Sequence, residues 1–281
     1  MKVLVTGATG FIGSYVVSEL IARGYDVVAT SSSSTRAREM DWYDQVHHVP
    51  YNIHSDHSEN LFEKFGRPDK LIHLAWSGLP NYKSLFHFEE NLYHQYSMLK
   101  NLVQHGLSDI SITGTCFEYG MVNGALKEDM HPQPANPYAI AKNTLRIFLE
   151  ELRREEHFDL KWVRLFYMYG KGQNSKSLLS QLERALADKE KIFNMSGGKQ
   201  VRDYLPVEEV ASHLVSISLQ NKVTGIINCC SNRPITIEEL VLDYLEKNEA
   251  DIKLNLGYYP YPDYEPMEFW GDDTKLKTIT N

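Results

Sequence analysis

The chain opens with a short apolar strand, Val3–Thr6, that runs directly into the glycine-rich segment Thr6-Gly7-Ala8-Thr9-Gly10-Phe11-Ile12-Gly13. Behind it Ile12, Val16, Val17, Leu20 and Ile21 recur at helical spacing. Gly24 stands where a left-handed C-terminal cap belongs, and Asp26–Thr30 reads as a second strand. A strand, a tight turn, a helix and a strand make a β-α-β unit, which commits the chain to a parallel sheet.

The same alternation continues. Strand candidates are Val46–Pro50, Leu71–Ala75, Ile110–Thr113 and Trp162–Phe166, separated by longer amphipathic runs. A length of 281 residues permits one large α/β unit or a domain with a smaller lobe. Beyond Phe166 longer polar connections enter, such as Gly170-Lys171-Gly172-Gln173-Asn174 and Ser196-Gly197-Gly198-Lys199, mixed with shorter elements. The expected division is therefore 1–166 for the sheet domain, with segments near 207–230 returning to it, and 167–281 mainly for the smaller lobe. Gly225-Ile226-Ile227-Asn228 with Cys229-Cys230 reads as a late strand whose cysteines pack in the core.

The three glycines suit a nucleotide. Missing side chains at Gly7, Gly10 and Gly13 allow a tight turn, close approach to a pyrophosphate, and close helix–strand packing. A second pattern lies in Pro137-Tyr138-Ala139-Ile140-Ala141-Lys142, where Tyr138 and Lys142 share a helix face. Pro137 suits a first helical turn, and Ala141, Leu145, Phe148, Leu149 and Leu152 form the apolar stripe. The lysine is expected to lower the tyrosine pKa, making the phenol a usable proton donor or acceptor.

Composition excludes several other classes. The net charge is −8, from 29 Lys+Arg against 37 Asp+Glu, and no basic run stands out, so a nucleic-acid or membrane-surface partner has no electrostatic support. Cys116, Cys229 and Cys230 lack disulfide or metal-ligand spacing, and His47-His48 has no third ligand nearby, so no metal is expected. No apolar run approaches the ~18 residues of a membrane span and no signal-type segment opens the chain, which leads to the expectation of a cytoplasmic protein.

Taken together, the G-x-x-G-x-x-G spacing and Tyr-x-x-x-Lys resemble the short-chain dehydrogenase/reductase superfamily, in its extended branch acting on nucleotide sugars. The likeness extends along nearly the whole chain. His73-Leu74-Ala75-Trp76 is similar to the family's H-L-A-A segment, and Asn91 to its helix asparagine. Thr115-Cys116-Phe117-Glu118-Tyr119-Gly120 resembles the stretch that begins with the catalytic Ser or Thr. Arg164-Leu165-Phe166-Tyr167-Met168-Tyr169-Gly170 is similar to R-x-F-N-x-Y-G, and Arg202-Asp203-Tyr204 to R-D-Y/W.

The resemblance implies a Rossmann-type doubly wound parallel sheet with a C-terminal substrate-binding lobe, and a homodimer built from the helices near Asn91 and Tyr138. It makes Tyr138 the general acid/base, Lys142 its partner and holder of the nicotinamide ribose, and Thr115 the residue bonded to the reacting oxygen. Gly7, Thr9, Gly10, Phe11, Ile12, Gly13, Leu74, Ala75 and Trp76 would line the cofactor. Trp76, Cys116, Phe117, Tyr167 and Arg202 would face a nucleotide-diphosphate sugar, with Arg202 on its diphosphate. The second strand ends Val28-Ala29-Thr30-Ser31-Ser32 without an acid and is followed by Arg36 and Arg38, which favours NADP over NAD, with Arg36 near the adenosine ribose.

Departures from the family narrow the reaction. The branch's 4,6-dehydratases carry Asp and Glu after the catalytic Thr, where this chain has Cys116 and Phe117. Its GDP-fucose-forming epimerase-reductases use a Cys at the place of Phe117 and a His after the Tyr-Gly turn, where Lys171–Asn174 has none. Tyr167 replaces the asparagine that many epimerases and dehydratases use on the sugar diphosphate. Simple hydride delivery to a 4-keto-6-deoxy sugar remains as the expected reaction. A 4-epimerase with tightly bound NAD and a non-catalytic NADP-sensing regulator are the alternatives.

Overall fold

The computed structural model describes residues 1–55 and 57–280. Its centre is a seven-stranded sheet built from β1 (Lys2–Thr6), β2 (Asp26–Ser31), β3 (His47–Pro50), β4 (Lys70–His73), β5 (Asp109–Thr115), β7 (Asp159–Leu165) and β11 (Gly225–Cys229). These lie in the order β3-β2-β1-β4-β5-β7-β11, every neighbouring pair parallel. Such a sheet is buried on both faces, which is why its strands read as nearly continuous apolar runs.

Helices cover both faces. Alternate residues divide β1 between two cores. Val3 and Val5 pack with Val16, Val17 and Leu20 of α1 (Phe11–Ala22) and Val210, Leu214 and Ile217 of α7 (Val207–Leu219). Leu4 packs with Met98 and Leu102 of α4 (Leu92–Gln104) and Leu145 and Leu149 of α5 (Pro137–Leu152). Gly24 ends α1 with φ +78°, as its spacing predicts.

A smaller core lies apart from these. Leu179 and Leu182 of α6 (Leu178–Ala187) pack with Phe193, Met195 and Leu240, Val241 and Leu245 of α8 (Ile237–Lys247). Short strands tie this lobe to the sheet's C-terminal edge: β10 (Val201–Pro206) pairs in parallel with β8 (Tyr167–Tyr169) and antiparallel with β12 (Pro234–Thr236).

Two expectations need correction. The strand expected at Leu71–Ala75 ends at His73, because Thr6 Oγ1 meets His73 Nδ1 at 2.8 Å and accepts from Leu74 N at 3.2 Å. That bond turns Leu74–Trp76 out of the sheet towards the glycine loop. Phe148 does not join the buried stripe of α5; it is 42% exposed and packs edge-on against Tyr96 at 5.4 Å.

Candidate active site

The site lies at the C-terminal ends of the strands, where an open α/β sheet offers a crevice. Gly7 leaves β1 with φ +68°, and a Cβ there would stand 2.9 Å from the Ala75 backbone. A Cβ on Gly13 would stand 2.1 Å from the Gly7 carbonyl. These glycines are demanded first by the contact of two loops with each other. The turn closes with Gly10 N donating to Gly7 O at 2.9 Å, and α1 begins at Phe11.

A cleft of about 240 Å³ opens on this turn. Gly7, Thr9, Gly10, Arg36, Leu74, Ala75 and Trp76 line it, as do Thr30, Ser31 and Ser32, and none of the described residues that line it is acidic. Phe11, Ile12 and Gly13 are not among the lining residues: Phe11 meets Tyr15 edge-on at 6.1 Å, Ile12 packs on the core, and Gly13 is shut in by the loop itself. Tyr51, Asn52, Ile53 and His54 also line the cleft and were missed in the sequence. Their position just after a parallel strand, at its C-terminal end, was the available signal. A glycine turn at the start of a helix, backed by a cleft that Arg36 lines, fits a dinucleotide.

Tyr138, Lys142 and Thr115 converge beside this cleft. Asn136 caps α5 by accepting from Ala139 N at 2.9 Å, and Pro137 takes the first helical position. The Tyr82 carbonyl accepts from Tyr138 N at 3.1 Å. The Tyr138 ring meets Trp76, Tyr82 and His87 at centroid distances of 5.9, 5.5 and 5.3 Å. Lys142 donates to the Thr113 carbonyl at 2.7 Å and lies 4.1 Å above the Trp76 ring.

The electrostatics differ from the expected lowering of the Tyr138 pKa. Burial pushes the phenol well above its ordinary value, the Tyr82 phenol adds to the rise, and the neighbouring Thr115 hydroxyl opposes it. Burial also drives Lys142 down to about 7. A lysine that is itself half-neutral near pH 7 is a poor stabiliser of phenolate. Tyr138 therefore stands as a protonated donor.

Thr115 is fixed by a residue to which the sequence reading gave no role. Glu118, fully buried, accepts from Thr115 N at 2.9 Å, from Trp162 Nε1 at 3.0 Å and from Arg164 Nε at 2.9 Å. The signal was present: Thr115-x-x-Glu118 is a capping box, and the structure forms it. A Cβ on Gly114 would stand 2.2 Å from Trp162 Nε1, so the strand needs glycine there. His73 is pinned between Thr6 Oγ1 and Gln95 Oε1 at 2.7 Å, and burial lowers it to about 3, which keeps it neutral. Asn91, in the turn His87–Asn91, is buried and donates to the Ser77 carbonyl at 2.7 Å.

On the lobe side a second cleft, about 590 Å³, is bordered by Tyr82, Tyr167, Tyr204, Tyr264 and Glu265. Phe117 stands edge-on to Tyr82 at 5.2 Å and to Tyr167 at 6.3 Å. Cys116 is buried beside Thr115 and burial raises its thiol, which makes it a packing residue. Arg202 is buried rather than surface-paired: its Nη1 donates to the Val201 and Met267 carbonyls and its Nη2 lies 3.3 Å from Glu265, which also accepts from the Tyr167 hydroxyl. Asp203 takes other partners, Ser231, Asn232 and Gly271. The C-terminal aromatics divide, with Tyr258 and Tyr259 exposed and Tyr264 seated on Tyr82 and Phe117.

Sequence and structure comparisons agree with this geometry. Residues 3–230 match the NAD dependent epimerase/dehydratase family. The chain is 27% identical over 278 residues to dTDP-6-deoxy-L-talose 4-dehydrogenase (NAD(+)) of Aggregatibacter actinomycetemcomitans, covering 96% of this chain and 99% of that one. It is 25% identical over 291 residues to GDP-6-deoxy-D-talose 4-dehydrogenase of the same organism, covering 99% and 91%. Among solved structures, UDP-N-acetylglucosamine 4-epimerase from Methanobrevibacter ruminantium M1 in complex with UDP-N-acetylmuramic acid shares the fold with a TM-score of 0.88 at 22% identity, over 100% of this chain and 92% of that one. MoeE5 in complex with UDP-glucuronic acid and NAD does so with a TM-score of 0.83 at 23% identity, over 99% and 92%. With the match running from the first strand through the last strand of the sheet, the chain belongs to the NAD dependent epimerase/dehydratase family, in the extended short-chain dehydrogenase/reductase branch.

Proposed function

We propose that this protein moves a hydride between a nicotinamide cofactor and C4 of a nucleotide-linked 6-deoxyhexose, working as an NADPH-dependent reductase of the 4-keto sugar. The observation that carries the reading is the Tyr138 phenol, buried with its ring against Trp76 of the glycine-turn cleft and kept protonated by that burial. Ketone reduction needs a proton at oxygen as hydride reaches carbon, and a protonated phenol is the form able to give one. Thr115 bonds the same oxygen as charge gathers there, and Glu118 holds Thr115 in place. Lys142 lies over the ring of Trp76, which lines the cofactor cleft, and would be suited to a ribose hydroxyl. The chemistry that a reduced nicotinamide supplies when bound is hydride donation.

Gly7, Thr9, Gly10, Leu74, Ala75 and Trp76 would hold the cofactor along the cleft, with Arg36 at the adenosine ribose. One relative's name specifies NAD(+); the NADP preference proposed here rests on Arg36 and on a second strand whose end, Thr30-Ser31-Ser32, offers no acid. Trp76, Cys116, Phe117, Tyr167 and Arg202 would face the nucleotide sugar. Two relatives are named 6-deoxytalose 4-dehydrogenases, names that describe the proposed step written in the oxidative direction, which supports its class. A 4-epimerase that retains NAD is the second reading, favoured by the fold shared with a 4-epimerase.

Among the described residues no helix is long and apolar enough to cross a membrane. Tyr93, Ile140, Ile147 and Phe148 expose apolar surface on α4 and α5, a face suited to a homodimer, which the mass in solution tests. The reaction is tested by following NADPH with dTDP-4-keto-6-deoxyglucose and with the CDP and GDP keto sugars. Stoichiometric oxidation with one of them is expected; sugar interconversion without net NADPH change would replace the reductase by the epimerase.

A further inference from the structure

We propose that Glu265 competes with the substrate diphosphate for Arg202, and so sets the affinity of the lobe-side cleft for nucleoside diphosphates. The proposal rests on the nucleotide-sugar reading above and adds a residue to it. Arg202 is rigidly presented. Nη1 is committed to the carbonyls of Val201 and Met267 at 2.8 and 3.1 Å, and the guanidinium carbon lies 4.5 Å from the Phe269 ring centroid and 5.8 Å from that of Tyr167. Nη2 is buried without a hydrogen bond, with the Glu265 carboxylate 3.3 Å away. One donor of a fixed arginine thus stands behind Glu265, which itself borders the cleft, at ion-pair distance from that acid and without a hydrogen bond.

Glu265 is held by little else. Its second tie is the Tyr167 hydroxyl, and its side chain is 9% exposed. The segment carrying it is fixed at its ends, where Tyr258 N donates to Met195 O at 3.0 Å and Val201 N donates to Met267 O at 2.9 Å. Between them Asp263 reaches across to Lys83 through an ion pair whose side chains are 62% and 80% exposed. Tyr167, which donates to Glu265, meets the Phe117 ring at 6.3 Å, two residues from Thr115. A diphosphate bonded to Nη2 would stand against a carboxylate within a few ångströms, and like charges in a buried setting repel strongly. Glu265 has to swing away or weaken binding.

The test is calorimetric titration of dTDP, UDP, CDP and GDP into wild type, Glu265→Gln and Tyr167→Phe, with NADP as a control for an intact fold. Glu265→Gln keeps the shape and removes the charge, and about tenfold tighter binding of the preferred nucleotide is expected, with KM for the keto sugar lowered. Tyr167→Phe loosens the carboxylate and leaves Arg202, so binding tightens by a smaller factor; it decides the question should Glu265→Gln not fold. Equal or weaker binding in a folded Glu265→Gln protein overturns the proposal, because a merely structural acid would act in that direction. Binding of NADP with no nucleoside diphosphate bound by any variant would instead overturn the nucleotide-sugar reading, and the proposal with it.

Discussion

Replacing Glu118 by alanine strikes the residue that positions Thr115, and its cost follows from its partners. Removal leaves Arg164, with no exposed side-chain surface, without its carboxylate; among the described residues no other acid pairs with it. Breaking a buried ion pair from one side costs about 3–5 kcal/mol. Thr115 N and Trp162 Nε1 lose their acceptor as well, at about 1–3 kcal/mol each. The terms share one cavity and do not add fully, so a loss of about 5 kcal/mol is expected. Against a typical stability of about 5–15 kcal/mol, that leaves the protein marginal.

Urea unfolding followed by tryptophan fluorescence measures the loss. With a slope of about 2 kcal/mol/M the midpoint should fall by about 2–3 M. The double variant Glu118→Gln with Arg164→Met removes both charges, keeps an amide oxygen for Thr115 N and Trp162, and should recover most of the loss. A Glu118→Ala protein within about 1 kcal/mol of wild type would refute the reasoning, as would a double variant no more stable than Glu118→Ala.

Tyr138→Phe should lower kcat by about 10²–10⁴-fold while NADPH binding, read by fluorescence titration, is kept; activity within a fewfold of wild type would remove Tyr138 as the proton donor. Asp109 holds Lys70 and Lys161 at the other end of the sheet, so Asp109→Asn should cost about 3 kcal/mol in urea unfolding with KM for NADPH unchanged. Lys142 has a pKa of about 7 in the fold against 10.5 for an ordinary lysine, so the unfolded chain binds more protons between those values and stability should rise with pH across that window. Lys142→Met should therefore melt higher than wild type below pH 7 and lose that advantage towards pH 10; a pH-independent difference would contradict the buried-lysine account.

What could be read from the sequence was whatever depends on local periodicity and short spacing. The β1-turn-α1 start, the buried strands and the α5 helix all declare themselves through apolar repeats and punctuation by Gly7, Gly24 and Pro137. Residues whose partners are distant in the chain did not. Glu118 gains its meaning from Trp162 and Arg164, 44 and 46 positions away, and Lys70 finds Asp109 only because β4 and β5 are neighbours. The Phe148 error has the same origin, since a helical stripe gives a direction but not the width of the buried face. The Tyr138 environment was misjudged because spacing places Lys142 nearby without showing that its ammonium is turned to the Thr113 carbonyl and the Trp76 face.

That last difference bears on how the site works. Tyr138 remains protonated, Lys142 is close to neutral, and His73 is held neutral between Thr6 and Gln95, so the fixed charge at this end is the mutually compensating Glu118–Arg164 pair behind Thr115. Firm charges stand to either side, at Arg36 in the cofactor cleft and in the Arg202–Glu265 pair at the lobe. Hydrogen bonds and developing charge count for more in such a dry, neutral centre than in water. An anionic ligand reaching Lys142 would favour its charged form and raise its pKa, and the lysine would then begin to stabilise the phenolate left when Tyr138 gives up its proton. The tyrosine–lysine pair is thus set by its surroundings to hold the proton at rest, and its partnership depends on what occupies the clefts.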